Sequence, residues 1–458
     1  MKVFWWVSLV IAIVVVAATT VVGVAYHQAY RDVESAPAYE LAPAQLPVHP
    51  VETALDDGTP PASPAAGFQA PLIDGELGAS VVDLTAGQSV YEHQPDRQLL
   101  PASSTKILTA TAALAGMDLD KRLETVVEQD GGRVVIRAAG DVWLDDADLD
   151  AAAAVIGQAD SVEIDTSVWS GPSQAEGWDP SNVAEGYIAP MEPAMLYGGR
   201  IGAKTGDVPR STHPAFDVAQ ALADRVGASQ VGVVDGAPPM SQVAVMESPI
   251  LRERLELMIK HSDNVMAEAI ARELAVARSG GQPASFADAT TATLHILREI
   301  GVEVGNAQIR DNSGLSSENR LTANLLVQCL QLAALDEGSA GAAVGGATGQ
   351  SRGAEVGGAT GESHGADGAN SIDGDVRTLL DLLPVAGGDG TLDDRYADLS
   401  ARGYARAKTG TLTDTSALVG IVTGRSGHTY AYGLLVNDAP ILSARSQLDE
   451  FVSALREH

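Results

Sequence analysis

Ser103 and Lys106 stand three residues apart in Leu100-Pro101-Ala102-Ser103-Ser104-Thr105-Lys106-Ile107-Leu108, so on a helix they share a face. A serine hydroxyl is a weak nucleophile until a neighbour takes its proton. A lysine one turn away does so when it is uncharged, and both burial and a second cation, Lys408, push it towards that state. Two later segments supply the remaining parts: His261-Ser262-Asp263-Asn264 and Ala407-Lys408-Thr409-Gly410-Thr411. Ser262 suits relay of a proton to a leaving group, and Asn264 offers an amide to hold Lys106 or a substrate carbonyl. Thr409 and Thr411 suit a substrate carboxylate together with Lys408, and Gly410 lets a substrate lie close to the strand. The backbone N–H groups of Ser103 and Thr411 are candidates for an oxyanion hole. The chemistry predicted is acyl transfer through a serine ester, with Ser103, Lys106, Ser262, Asn264 and Lys408 catalytic and Thr409, Gly410 and Thr411 binding substrate.

Each short motif alone recurs by chance, and the three in this order, each in its own context, carry the reading. The chain has only six lysines, Lys2, Lys106, Lys121, Lys204, Lys260 and Lys408. A second Lys-Thr-Gly, Lys204-Thr205-Gly206, precedes Ser262 and lies beside Asp207-Val208-Pro209 with no hydrophobic alternation after it. It is assigned to a loop without catalytic function. No His-Glu-x-x-His and no metal-ligand spacing is present, and the reading requires no cofactor. Ser103 has no Gly-x-Ser-x-Gly elbow, and His261 reads as a helix-end or surface histidine. Cys329, the single cysteine, lies in an apolar helical run and reads as a buried small hydrophobe.

The elements that must hold these residues follow from periodicity. Gly78–Leu84 and Ser89–His93 flank Thr85-Ala86-Gly87 and read as a hairpin. The Ser103 segment opens a helix that runs to about Leu114, with Gly116 as its stop. Tyr404–Leu412, Ser416–Val422 and Thr429–Val436 read as three antiparallel strands, and Ala444–Leu455 as a closing helix. With the hairpin these make a five-stranded antiparallel sheet flanked by helices, an α+β fold. Residues 123–237 change character, with strands at Leu123–Val127, Arg133–Arg137, Val162–Asp165 and Val231–Val234 and helices at Asp146–Ile156 and Phe216–Val226. They read as a domain inserted into a discontinuous one, 76–122 with 238–458. Residues 338–372 hold two near-copies beginning Val-Gly-Gly-Ala-Thr-Gly, at Val344 and Val356. Such glycine-rich polar sequence buries too little to fold alone and reads as an insert in a loop.

Val3–Tyr26 is one uncharged, mostly apolar run followed by Arg31 and Asp32. It is long enough to span a bilayer, so residues 1–30 read as a membrane anchor or signal segment, with the length favouring a retained anchor. Residues 31–75, rich in Ala and Pro, read as a spacer. Either way the remainder lies outside the cytoplasm. A net charge of −31 over 458 residues excludes a nucleic-acid partner.

The set Pro101-Ala102-Ser103-Ser104-Thr105-Lys106, Ser262-Asp263-Asn264-Val265-Met266-Ala267-Glu268, Asp311-Asn312-Ser313-Gly314-Leu315-Ser316, Leu383-Pro384-Val385-Ala386-Gly387-Gly388-Asp389-Gly390-Thr391-Leu392 and Ala407-Lys408-Thr409-Gly410-Thr411-Leu412 resembles the low-molecular-mass class C penicillin-binding proteins. These are the DacB-like D-alanyl-D-alanine carboxypeptidases and endopeptidases of peptidase family S13. The resemblance spans about Gly78 to Phe451. It implies a β-lactamase/transpeptidase-like fold with an inserted domain, Ser103 as the acylated nucleophile and Lys106 as general base. It also implies Ser262 and Asn264 as the second motif and Lys408 with Thr409 as the third. The partners implied are peptidoglycan stem peptides and cross-links, with β-lactams as inhibitors that acylate Ser103. Ala138-Ala139-Gly140-Asp141-Val142 stands where the family usually carries Gly-Gly-Asp-Pro. Two rival readings use the same residues: a serine β-lactamase, which lacks a matching Glu-x-x-x-Asn here, and a catalytically silent tethered wall-binding scaffold.

Overall fold

In the computed structural model, the structure describes Thr20, residues 63–334 and residues 376–458. The expected anchor, most of the spacer and the glycine-rich repeat lie outside the described residues. Among the described residues no helix is long and apolar enough to cross a membrane.

Strand β1 (Glu76–Asp83) turns into β2 (Gln88–His93). Asp83 builds the turn, because its Oδ1 accepts from the N–H groups of Thr85 and Ala86. The chain then passes through a second group of strands: β3 (Glu124–Asp130), β4 (Arg133–Arg137), β5 (Asp141–Leu144), β6 (Ser161–Asp165), β7 (Ala194–Leu196), β8 (Gln230–Val234) and β9 (Ser241–Glu247). Near the C-terminus β10 (Ala405–Leu412), β11 (Thr415–Thr423) and β12 (Thr429–Asn437) return to the first two. The resulting sheet has the order β10-β11-β12-β1-β2 and is antiparallel throughout. This is the five-stranded antiparallel sheet that the alternation predicts.

Period two explains how this sheet is covered on both faces. Along β11, Ala417 and Val419 join one apolar cluster while Leu418 and Val422 join another. Along β12, Ala431 and Leu435 face the first cluster, and Tyr430, Tyr432, Leu434 and Val436 face the second. The second cluster is closed by helix Ile441–Arg456 through Leu448, Phe451, Val452 and Leu455. The first is filled by helices Lys106–Gly116, Leu251–Lys260, Asn264–Arg278 and Ala323–Ala334. Gly433 is fixed by this packing: a Cβ there would lie 2.8 Å from the Ala323 carbonyl oxygen.

Helix Lys106–Gly116 is buried over Lys106 to Leu114. It is small or apolar on every side, which suits a helix enclosed by others. Buried Cys329 sits beside it, and burial pushes its thiol up to about 12, so this side chain is inert at neutral pH.

The second group of strands forms its own mixed sheet, β8-β6-β4-β3-β9. Strands β4, β6 and β8 are parallel, connected through helices Asp146–Ile156 and Pro214–Val226. The sequence reading closes the insert at residue 237, but β9 hydrogen-bonds along β3, so this sheet continues past that point. Neither β9 nor the short parallel pair β5–β7 is anticipated from the sequence.

Candidate active site

Ser103 lies in a 3-10 turn, Ala102–Thr105, that runs directly into helix Lys106–Gly116. Ala102 adopts φ +47°, a left-handed conformation that costs a non-glycine residue about 1–2 kcal/mol. The turn is tied down from three directions. Ser104 Oγ donates to the Pro101 carbonyl at 2.6 Å, Thr105 Oγ1 donates to the Ala102 carbonyl at 3.0 Å, and Gly314 packs so close that a Cβ would fall 1.9 Å from the Ala102 oxygen. Ser104, turned inward and buried, is thereby unavailable as a nucleophile.

Lys106 Nζ is the hub. It donates to Ser103 Oγ at 3.1 Å, to Asn264 Oδ1 at 2.7 Å and to the Ser313 carbonyl at 2.7 Å. The last contact comes from Asp311–Ser316, one of the segments that carry the family resemblance. Buried Asp311 shapes that segment: it accepts from Ser313 Oγ, from the N–H groups of Gly314, Leu315 and Ser316, and from Trp178 Nε1. Glu268 Oε1 accepts from the N–H groups of Asn312 and Ser313. The Ser313 carbonyl is aimed at Lys106 by these two carboxyl groups. Backbone contacts of this kind leave no mark in residue types.

The second motif stands between two helices. Ser262 follows helix Leu251–Lys260 with φ +57°, also left-handed. Asp263 then caps helix Asn264–Arg278, its Oδ1 accepting from the Met266 N–H at 2.8 Å. Its Oδ2 accepts from Arg200 at 2.7 Å and pairs with Arg210 at 3.5 Å. Burial opposes the Asp263 charge, and Arg210 and Arg200 outweigh it, holding the carboxyl below its usual range. The Asn264 amide is used at both ends, since Nδ2 donates to the Tyr187 carbonyl at 3.1 Å. Tyr187, Arg200 and Arg210 all lie between β3 and β9, and sequence reasoning missed all three.

The third motif runs along β10, the edge strand beside the Ser103 turn. Lys408 Nζ donates to Ser262 Oγ at 2.9 Å and to the Thr409 carbonyl at 2.8 Å. Thr409 Oγ1 donates to Thr391 Oγ1 at 2.8 Å, and Thr411 Oγ1 accepts from Arg445 Nη2 at 2.9 Å. Gly410 has a packing reason to be glycine, for a Cβ there would lie 2.7 Å from the Pro101 carbonyl oxygen. The structure therefore brings together all five residues expected to be catalytic, with Thr409, Gly410 and Thr411 alongside. Lys204, of the other Lys-Thr-Gly, is exposed and rests over the Tyr197 ring at 4.6 Å.

Both buried lysines are pushed towards the free amine. Burial lowers Lys106 to about 8, against the pull of Asp311, Asp263 and Glu268, which favour its charge. Burial also lowers Lys408, and the charge of Lys106 adds to the effect. The sequence reading has Lys408 depressing Lys106. The repulsion between the two ammonium groups is mutual, so each favours the free amine of the other. Burial, reinforced by Asp311, pushes Glu268 up to about 8, so it is neutral below that pH.

These groups open on a cavity of about 1150 Å³ lined by Ser103, Ser262, Asn264, Thr409 and Thr411 on one side and by Tyr187 and Arg200 on the other. An edge strand of an antiparallel five-stranded sheet, with a buried Ser-x-x-Lys helix beneath it, is the penicillin-binding-protein and transpeptidase architecture. In the solved structures it resembles penicillin binding protein 4 (dacB) from Haemophilus influenzae, with a TM-score of 0.66 at 20% identity over 83% of this chain and 95% of that one. Among curated proteins it is 38% identical to carboxypeptidase DacB of Mycolicibacterium smegmatis, over 86% of this chain and 83% of the relative. It is 36% identical to carboxypeptidase Rv3627c of Mycobacterium tuberculosis, over 80% and 77%. The model of the D-Ala-D-Ala carboxypeptidase 3 (S13) family matches residues 65–223, 204–344 and 370–455. The chain belongs to that family, and is an enzyme of the serine-type carboxypeptidase class.

Proposed function

We propose that the chain cleaves the D-alanyl-D-alanine end, or a D-alanyl cross-link, of peptidoglycan peptides through an ester at Ser103, outside the cytoplasm. The observation that carries this reading is the placement of Lys106 Nζ against Ser103 Oγ, Asn264 Oδ1 and the Ser313 carbonyl. An ammonium has three N–H bonds for these three acceptors. The free amine has two, which the two 2.7 Å contacts use, leaving its lone pair to the Ser103 hydroxyl. Lys106 then takes that proton as Oγ attacks the D-alanyl carbonyl carbon. As the tetrahedral adduct collapses, the C–N bond breaks, and Ser262, held by Lys408, relays the proton taken up by Lys106 to the leaving amine, which returns Lys106 to its free amine. Water, deprotonated by the same Lys106, cleaves the ester and restores Ser103. The N–H groups of Ser103 and Thr411 hold the oxyanion in both steps. A β-lactam enters by the first step, its ring amide opening onto Ser103.

In this reading the peptidase domain is discontinuous. The pairing of β9 with β3 supports extending the insert to Glu247, and the apolar run Val3–Tyr26 supports a membrane anchor. The test is intact mass after incubation of the full-length chain in detergent with a fluorescent penicillin. One adduct per chain is expected, mapping to Ser103 and absent in Ser103→Ala. A folded wild-type protein that takes up no label would overturn the reading.

A further inference from the structure

Two fully buried carboxyl groups, Asp311 and Glu268, hold one residue between them. Ser313 donates its hydroxyl to Asp311 at 2.9 Å and its N–H to Glu268 at 2.7 Å, and its carbonyl is the acceptor for Lys106. The two carboxyls are unequally provided for. Asp311 Oδ2 accepts from Trp178 Nε1, Ser313 Oγ and the N–H groups of Leu315 and Ser316, and Oδ1 accepts from the Gly314 N–H and Asn319 Nδ2. Glu268 accepts only from the N–H groups of Asn312 and Ser313, and both bonds end on Oε1. Its Oε2 is buried without a partner. Where two carboxyls lie close, one takes up a proton, and the one that accepts more donors keeps its charge. A hydroxyl lacking an acceptor costs less in such a place than an anionic oxygen lacking a donor. The donor sets make Asp311 the anion and Glu268 the acid, protonated on Oε2.

The other charges around Glu268 do not reverse this. Arg272 stands one turn further along the same helix and favours the carboxylate. Its guanidinium, however, stacks on Trp169 and Phe286 at 4.9 and 4.2 Å and donates to the carbonyls of Ala284 and Pro172. Among the described residues no ion pair joins it to Glu268. Helix Phe286–Glu299, packed alongside, contributes Asp288, which acts on Arg272. Helix Leu251–Lys260 contributes Arg254, which is paired with Glu273 and has Asp141 of β5 nearby. Helix Lys106–Gly116 contributes Lys106 itself. Asn264 and Glu268 are four residues apart on one helix and share a face, so the carboxyl lies one turn from the amide that holds Lys106.

We propose that Glu268 is a positioning residue that arms Lys106 by keeping a proton: Oε1 accepts the two N–H groups that aim the Ser313 carbonyl, and the proton on Oε2 removes an anion that would hold Lys106 as an ammonium. The proposal rests on the peptidase reading above. The Glu268 proton stays in place during acyl transfer, and the proton leaving Ser103 passes through Lys106 and Ser262 alone. When Glu268 does ionise, it stabilises the Lys106 ammonium, so the two groups titrate as a coupled pair. Each gives up its proton less readily once the other has done so. Activation of Ser103 is thereby spread over a wider pH range than a single group gives.

The experiment follows penicillin acylation against pH by stopped flow in full-length wild type, Glu268→Gln and Glu268→Ala, beside their infrared spectra. Gln keeps an acceptor for both N–H groups and carries no charge at any pH. At pH 6, where Glu268 is already neutral, wild type and Glu268→Gln should acylate within about twofold of each other. Between pH 8 and pH 9 the variant should be faster by about 2- to 10-fold, a unit of pKa being tenfold in free amine, and its profile should steepen to that of one proton. Glu268→Ala leaves both N–H groups without an acceptor and should be about 10- to 100-fold slower at every pH, the scale of a displaced catalytic group. The infrared difference between wild type and Glu268→Gln at pH 6 should contain the stretch of one protonated carboxyl, and this band should disappear as the pH is raised through 8. A carboxylate band at pH 6, a Glu268→Gln variant much faster than wild type at that pH, or identical profiles throughout would each overturn the proposal, and so would a folded Glu268→Ala that matches Glu268→Gln. A wild type that shows the protonated band but takes no penicillin label overturns the peptidase reading, and with it the role given to this proton.

Discussion

The chain writes Ala-Lys-Thr-Gly twice, and the two copies meet opposite fates. Lys408-Thr409-Gly410 lies on a strand paired along its whole length with β11. Its lysine is fully buried and its glycine pressed against the Ser103 turn. Lys204-Thr205-Gly206 lies on a loop between Arg200 and Arg210, where Lys204 is exposed and a Cβ on Gly206 would meet nothing within 4 Å. The residue types are identical, so the chemistry of the first copy cannot reside in them. It comes from burial, which strips Lys408 of its hydration, and from the partner that burial brings, Ser262. An exposed lysine keeps its proton, and its cation is screened by water.

The sharpest way to break this comparison is to remove each lysine. Lys408→Ala strips Ser262 Oγ of its partner, and acylation by penicillin should slow by about 10²–10⁴-fold, the scale of a lost acid–base group. Lys204→Ala should stay within about twofold. Equal losses at the two positions in stopped-flow acylation would refute the distinction. The glycines come next. Gly410→Ala forces a methyl to 2.7 Å from the Pro101 oxygen and should destabilise by about 1–3 kcal/mol, with acylation reduced because the Ser103 turn moves. Gly206→Ala meets only its own left-handed backbone, φ +85°, and should leave acylation intact. Denaturant titrations of the two variants, run beside acylation rates, separate these outcomes.

The smaller effects are pH effects. Protonated Lys106 cannot take the Ser103 proton, so the acylation rate should rise with pH to a midpoint near 8, and Lys204→Ala should not move that midpoint. Ionised Glu268 favours the Lys106 charge, so Glu268→Gln should shift the midpoint downward. The same variant tests stability. Because Glu268 is raised in the fold from 4.5 to about 8, the folded state holds its proton more tightly than the unfolded one. Its contribution is fully present below pH 4.5 and is lost as pH rises through 8. Relative to wild type, Glu268→Gln should gain stability between pH 5 and pH 8. A constant difference between the two pH values would show that Glu268 does not titrate in this window.

How far the sequence could be read follows from the same contrast. Ser103, Lys106, Ser262, Asn264 and Lys408 were legible because order and context accompany their types. The five-stranded antiparallel sheet was legible because β11 and β12 alternate cleanly between two cores. The support around them was not. The Ser313 carbonyl exists in every residue, so nothing marks it as the ligand of Lys106. Arg200 and Arg210 reach Asp263 across the chain from the stretch between β3 and β9, a long-range pairing that local periodicity cannot register. β9 escaped because both its faces are partly exposed, which removes the apolar rhythm. Arg445 was hidden in a helix whose period advertises only Leu448, Phe451 and Leu455.

The Asn264 amide has one consequence for any attempt to transplant the site. Its oxygen faces Lys106 because its nitrogen is claimed by the Tyr187 carbonyl; turned over, it would set a donor against a donor. The compass for a side chain at the start of helix Asn264–Arg278 is therefore kept at Tyr187, in the stretch between β3 and β9. A graft of residues 76–122 and 248–458 onto a new scaffold would carry every motif across and leave behind what tells Asn264 which way is north.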